Sequence, residues 1–338
     1  METRQRETGT IALDSTLDLA SSRRHVLDMD DFSRDEIEMV MRITDAMKEV
    51  LGRQIKKVPT LRGRVVANLF YEASTRTRVS FEEAGKVLSA EVISVSSSGS
   101  SVEKGESLLN TALTLQAMGV DIIVIRHPHS GAPHFVARHA ERLRVINAGD
   151  GLHAHPTQAL LDIYTMRSRF ETIQGLKVVI VGDILHSRVA RSNIWGLTAM
   201  GANVVLCGPP TLLPRELFQE DGRLPWNVHV TTDLDRAIEG ADVVMALRIQ
   251  KERQGTQFFP SLREYSRLYQ VNEKRLARAS ENVFVMHPGP MDEGVEISHQ
   301  IAHGGRSLIE EQVANGVAVR MAILYLLTGP SAWRNSDA

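Results

Sequence analysis

The sequence predicts an α/β protein with two domains, each built on a doubly wound parallel sheet. Two observations lead there. From residue 65 onward, apolar β-branched runs alternate with segments of helical period; such alternation buries strands on both faces between helices. The alternation loses phase at Gln174-Gly175, and 338 residues suffice for about two domains hinged near 170–175.

Taken in order, residues 1–22 are polar and aperiodic and read as a mobile arm. Ser33 and Glu36 have the spacing of a capping box, and Ile37, Val40, Met41, Thr44 and Met47 continue a helix behind them. Strands are expected at 65–70, 91–95, 120–126 and 143–147, with helices at about 78–89, 106–118, 132–141 and 156–169. Past the break, strands are expected at 176–181, 203–207, 227–231, 241–246 and 282–286, with helices between them. A last long helix, about 306–327, meets a stop signal at Gly329-Pro330.

Composition narrows the functional classes. A chain 43% hydrophobic and 24% charged is ordinary for a globular protein. A net charge of -2 offers no bulk attraction to nucleic acid or to an anionic membrane, so neither is expected as a partner. The polar N-terminus reads as neither signal peptide nor anchor. No apolar run nears the ~18 residues of a membrane helix. Cys207 is the sole cysteine, which precludes an intramolecular disulfide and suits a reducing, cytoplasmic compartment. Its strand-like surroundings make it a core residue rather than a nucleophile.

The most informative stretch is Phe70-Tyr71-Glu72-Ala73-Ser74-Thr75-Arg76-Thr77-Arg78. A strand running into a helix N-terminus leaves backbone N–H groups free at the positive end of the helix dipole, which suits an anion. A Ser-Thr pair alone would read as a helix cap with surface arginines beside it. The intact Ser-Thr-Arg-Thr-Arg favours a phosphate seat, with Ser74, Thr75 and Thr77 as hydroxyl donors and Arg76 as a guanidinium fork.

Other loops after strands add polar groups. Residues 96–106, rich in Ser and Gly, read as a flexible surface loop or as a lid whose Lys104 reaches an anion. Arg126 ends its strand, where ligands of open α/β sheets sit, although pairing with a nearby carboxylate explains it equally well. In His155-Pro156-Thr157-Gln158, Pro156 suits the first helical position and places His155 at the helix mouth, able to donate to a carbonyl oxygen. Six of the twelve histidines fall between His127 and His155, in H-x-H pairs at 127/129 and 153/155. They sit in expected loops without HExxH or a cysteine cluster, so no metal site is assigned. Gly182 follows a strand but lacks the further glycines of a dinucleotide turn, so NAD is rejected. Arg188, the cationic loop from Arg248 to Arg253, and the rigid turn His287-Pro288-Gly289-Pro290 lie at corresponding strand ends of the second half. A cleft lined this way suits substrates carrying several negative charges.

In this order, these residues resemble the catalytic chains of the aspartate/ornithine carbamoyltransferase family, over about residues 25–328. Ser74-Thr75-Arg76-Thr77-Arg78 is similar to its carbamoyl phosphate motif, His155-Pro156-Thr157-Gln158 to its second signature, and Arg248-Ile249-Gln250-Lys251-Glu252-Arg253 to its aspartate-binding loop. The Ser-Met-Gly loop and His-Cys-Leu-Pro turn of the ornithine branch are absent, which favours aspartate. The resemblance implies a carbamoyl phosphate domain at 23–155, an aspartate domain at 156–305, an active site in the cleft between them, and a C-terminal helix at 306–330 returning to the first domain. It implies that Ser74, Thr75, Arg76 and Thr77 hold phosphate, and that Thr77, Arg126 and His155 face the carbonyl oxygen. Gln158 would lie near the amino group, and the turn with Gly289 and Pro290 would offer backbone carbonyls. Arg188, Arg248 and Gln250 would bind the aspartate carboxylates, while Ser100 and Lys104 would come from a neighbouring subunit of a homotrimer with shared sites. Neither cofactor nor metal is implied. Members of the family pair with a zinc-bearing regulatory chain, with dihydroorotase, or with neither.

The chain departs from the pattern at Met291-Asp292-Glu293-Gly294, where many members carry Asn-Arg-Gly, so Glu293 puts a negative charge near the aspartate side. Gly289 stands where one well-studied member carries Leu. Competing readings are transfer to another amine, a non-catalytic carbamoyl phosphate-binding subunit, and a metal-dependent hydrolase.

Overall fold

The computed structural model describes residues 23–96, 105–214, 227–250 and 261–328. The N-terminal arm, Ser100, Lys104, residues 251–254 and Gly329-Pro330 lie outside them. Helix α1 (Arg34–Leu51) starts at the expected capping box: Ser33 Oγ accepts from Glu36 N, and Glu36 Oε2 accepts from Ser33 N. Its face of Ile37, Val40, Met41, Thr44 and Met47 is buried.

The first sheet holds β1 (Val65–Phe70), β2 (Glu91–Ser96), β3 (Ile122–His127) and β4 (Arg144–Asp150), all parallel, in the order β2-β1-β3-β4. Helices α2 (Thr75–Val87), α3 (Leu108–Ala117) and α4 (Ala132–His139) connect them, and α5 (Pro156–Arg167) leads onward. The second sheet holds β5 (Lys177–Val181), β6 (Asn203–Cys207), β7 (Val228–Thr231), β8 (Val243–Ala246) and β9 (Phe284–Met286), parallel, in the order β7-β6-β5-β8-β9. Its helices are α6 (Arg188–Ala199), α7 (Leu234–Ile238), α8 (Leu262–Tyr269), α9 (Glu273–Leu276) and α10 (His299–Ala302). Both expected sheets therefore form, with helices on both sides.

The last helix, α11 (Ile309–Thr328), is buried on most of its circumference and packs on α1, α2 and α5. A helix apolar nearly all round finds its stability only inside a protein. α5 is buried from Pro156 to Met166 and packs against α6 as well as α11. One apolar cluster runs continuously from the first sheet through α5, α6 and α11 to the second sheet. Cys207 is fully buried in β6, and burial pushes its thiol up to about 12, as befits a core residue. Among the described residues, no helix is long and apolar enough to cross a membrane.

Topology decides where a site can form. Strand order reverses between β1 and β3 in the first sheet and between β5 and β8 in the second. At such switch points the connections leave in opposite directions and open a crevice beyond the carboxyl ends of the strands. Phe70 pairs with Arg126 at one crevice, and Val181 with Ala246 at the other. Arg126 lies at the end of β3, and the Ser-Thr-Arg-Thr turn, Arg188 and Arg248 stand in the segments that follow β1, β5 and β8.

Candidate active site

The two crevices face one cleft of about 440 Å³, within the usual size for small-molecule sites. On its first wall, α2 begins at Thr75, earlier than the spacing predicts. Its opening turn faces the cleft rather than the core and so carries no apolar signal. Ser74 takes the N-cap position with an extended backbone (φ -161, ψ 99), yet its hydroxyl makes no capping bond. That hydroxyl and the first N–H groups of α2 remain turned to the cleft, which Thr75, Arg76 and Thr77 also line. Arg76 lies against Gly289: a β-carbon there would sit 2.5 Å from Arg76 Nη1, and φ at Gly289 is +63°. Burial and the neighbouring Arg248 guanidinium hold the Arg76 pKa below its ordinary value. Two cations thus converge where a phosphate would be received.

Arg126 is aimed by an irregularity. The β3–β4 register shifts between Ile125 and His127, so that β4 has an extra residue there. Gly149, at φ +112°, provides the room: a β-carbon would lie 3.2 Å from Arg126 Nη1 and 3.0 Å from Arg188 Cζ. Arg126 Nη1 donates to Ala148 O at 3.2 Å and Nη2 to Glu72 Oε1 at 2.6 Å. Arg188, first residue of α6 and nearly fully buried, donates to both oxygens of Glu72. Glu72 therefore ties the two arginines into one cationic face with their forks held in place. Glu72 lies inside the strand–helix turn that the sequence marks, and its role appears only in the fold. A carboxylate flanked by so many cations was the available signal.

His155 caps α5 and Pro156 follows at its first position, as expected. The His155 N–H donates to Ser192 Oγ on α6 at 2.8 Å, and the buried imidazole lines the cleft. Gln158 Nε2 donates to Asp162 Oδ1 at 2.9 Å. That assignment of the amide leaves Oε1 as the group available to accept from an amino group. Asp162, fully buried, also accepts from Gln312 Nε2 at 2.8 Å and Asn193 Nδ2 at 2.9 Å. Burial still pushes its carboxyl up to about 6. Gln312 Oε1 in turn accepts from His287 N, while His287 Nδ1 accepts from Gly289 N. A single polar chain thus links Gln158 to the turn bearing Gly289 and Pro290, and both ends line the cleft.

Across the cleft, Arg248 and Gln250 follow β8. Gln250 N donates to Asp183 Oδ2 at 3.1 Å, and Asp183 Oδ1 engages His186 Nδ1 at 2.8 Å. Arg320 of α11, 4% exposed, reaches the same cleft, beside Phe81 at 5.2 Å from its ring. Burial lowers its pKa to about 10. Asp162, Asp183, Gln312 and Arg320 were missed because each sits in an apolar-period helix or at a strand end with no motif around it.

The two histidine pairs differ: His127 and His129 stay in ring contact at 5.1 Å, whereas His155 lines the cleft and His153 does not. His127 packs its ring on Tyr71 and its Nδ1 accepts from His129 N. His153 lies between Asp28 and Asp150, with Nε2 at 3.0 Å from one and Nδ1 at 3.1 Å from the other. These carboxylates raise its pKa to about 10. Glu293 is turned to His299 and His303, and among the described residues it does not line the cleft.

Comparison with known proteins agrees with this geometry. Residues 24–168 match the family model for the aspartate/ornithine carbamoyltransferase carbamoyl-P binding domain, and residues 174–327 match that for the Asp/Orn binding domain. The aspartate carbamoyltransferase catalytic subunit of Roseiflexus sp. (strain RS-1) is 60% identical over 308 residues, covering 91% of this chain and 96% of the relative. That of Chloroflexus aggregans is 57% identical over 312 residues, covering 92% and 100%. Among solved structures, aspartate transcarbamoylase from Trypanosoma cruzi in complex with N-(phosphonacetyl)-L-aspartic acid superimposes with a TM-score of 0.78 at 29% identity, covering 89% of this chain and 94% of that one. Ornithine carbamoyltransferase from Pyrococcus furiosus gives 0.78 at 27% identity, covering 90% and 96%. With both family models together spanning nearly all described residues, and relatives this similar over nine-tenths of its length, the chain belongs to the aspartate/ornithine carbamoyltransferase family.

Proposed function

We propose that the cleft transfers the carbamoyl group of carbamoyl phosphate to the amine of L-aspartate, giving N-carbamoyl-L-aspartate and phosphate. The observation that carries this reading is the placing of cations at both switch points of one cleft. Arg76 and the α2 N-terminus stand on one wall, and Arg188 and Arg248 on the other. The 57–60% identity to aspartate carbamoyltransferase catalytic subunits favours aspartate over ornithine as acceptor.

In this reading Ser74, Thr75, Arg76 and Thr77 seat the phosphate, and Arg188, Arg248 and Gln250 take the two aspartate carboxylates. Gln158 Oε1 and the backbone carbonyls of the Gly289-Pro290 turn accept from the carbamoyl amino group. The free-base amine attacks the carbamoyl carbon and its C–N bond forms. The carbonyl electrons move onto oxygen, where Arg126, His155 and Thr77 stabilise them. The oxyanion then collapses, the C–O bond to phosphate breaks, and the leaving phosphate takes up the surplus amine proton. Arg76 and the helix dipole meet its growing charge. Bringing two anionic substrates together is chiefly a matter of position and electrostatics. Incubation with carbamoyl phosphate and either aspartate or ornithine tests the reading: carbamoyl-aspartate is the expected product, and its absence would overturn the assignment.

The active unit in this reading is a cytoplasmic homotrimer serving de novo pyrimidine synthesis. Ser100 and Lys104, outside the described residues, complete each site from a neighbouring subunit. Mixed trimers of Lys104→Ala and Arg76→Ala chains should then recover activity that neither homotrimer shows. No recovery after verified subunit exchange would count against shared sites.

A further inference from the structure

We propose that Glu293, His299 and His303 form a surface site for a divalent transition-metal ion, separate from the catalytic cleft. His299 and His303 lie one helical turn apart at α10, where His303 N donates to His299 O at 3.1 Å. Their rings therefore project from the same side, with centroids 4.7 Å apart. Glu293 reaches between them from the preceding loop: Oε2 is 2.6 Å from His299 Nδ1, and Oε1 is 3.0 Å from His303 Nε2. One ligand atom from each residue lies within 4.8 Å of the other two. A single ion can replace the shared protons and bind all three.

The loop bearing Glu293 is held before any ion arrives. Val295 N donates to Asp292 O at 2.9 Å and Gly294 N to Ile297 O at 2.8 Å. Ser266 Oγ and Gln270 Nε2, on and just after α8, both donate to Gly294 O. Ser298 caps α10 by accepting from Ile301 N. The carboxylate is thus presented to a fixed pair of imidazoles, and little ordering remains to oppose binding.

The donor set selects the ion. Two imidazole nitrogens and one carboxylate oxygen suit Zn²⁺, Ni²⁺ or Co²⁺, whereas Mg²⁺ and Ca²⁺ require oxygen ligands. The side chains are 74%, 48% and 36% exposed for His299, His303 and Glu293, so water can fill the remaining positions. The contrast with His153 is chemical. There, two carboxylates occupy both nitrogens of one ring, while here one carboxylate serves two imidazoles that each keep a second nitrogen clear of it. An ion at this position would cross-link α10 to the segment leaving Pro290, stiffening one rim of the cleft without touching substrate.

The test is a titration of chelator-treated full-length protein with ZnCl₂, followed by calorimetry, alongside Co²⁺ titration followed by visible absorption. One Zn²⁺ per chain is expected at this site. His303→Ala and Glu293→Gln should each weaken it about tenfold or more, and His299→Ala/His303→Ala should abolish it. All three variants should keep basal transferase activity, which verifies their folding. Absence of saturable Zn²⁺ binding, or binding that the double variant retains unchanged, would overturn the site.

Discussion

Arg126→Ala is expected to lower kcat by about 10²–10³-fold, the usual consequence of removing one preorganised oxyanion donor. Arg126 is not a flexible surface cation that a neighbour could replace. The β4 irregularity, the bond to Ala148 O and the pair with Glu72 fix its fork at the carboxyl end of β3. A residue held that way needs no reorganisation when charge develops on the carbonyl oxygen. Lysine should restore little, because a point charge on a flexible stem cannot hold Glu72 and the oxyanion together. The loss should fall mainly on kcat, with KM for aspartate changing less, since Arg188 keeps its own bonds to Glu72. Steady-state kinetics with both substrates varied would check this. A kcat within about threefold of the parent would remove Arg126 from the proposed chemistry.

Asp162→Ala should give the largest loss of stability, about 3–5 kcal/mol, because removing one partner of a buried charged network strands the others. The carboxylate accepts from three side-chain amides on α5, α6 and α11, and its charge also favours the buried Arg320 guanidinium. The amides would keep their desolvation cost and lose their acceptor. Asp162→Asn preserves volume but turns an NH₂ toward donors already present, so it should also destabilise, by less. Even where it folds, it should raise KM for carbamoyl phosphate. With Asp162 altered, Gln158 is free to flip its amide, and Gln312 no longer holds His287 and the Gly289 turn in register. Denaturant unfolding of both variants, with KM for the second, separates the structural role from the positioning one. A stability change under about 1 kcal/mol for Asp162→Ala would show that the network is redundant.

Much of the site was legible because its residues lie at punctuation. Ser74 to Thr77, Arg126, His155 and Arg188 each stand where a strand ends or a helix begins, and those boundaries show in the periodicity. Gly289 was legible as part of a rigid turn, but not the reason for glycine there, which is the Arg76 guanidinium beside it. Gln158 was readable only through its motif. Its amide orientation depends on Asp162, and the Asp162–Gln312 bond joins side chains 150 positions apart in the chain.

Taken alone, the sequence determined the element order and the parallel sheets, and its residue types pointed to the turn from Ser74 to Thr77 as a place for an anion. Those properties depend on local periodicity, capping and residue type, which act over a few neighbouring positions. Tertiary structure alone decided three things. It set which strand ends meet, because the reversals of strand order bring residues 70 and 126, and 181 and 246, to common crevices. It showed that Glu72 binds both arginines and that Asp162, Gln312 and His287 form one polar chain from α5 to the cleft rim. It also placed Glu293 against His299 and His303. Burial and partner choice depend on contacts distant in sequence, and a one-dimensional pattern carries no record of them.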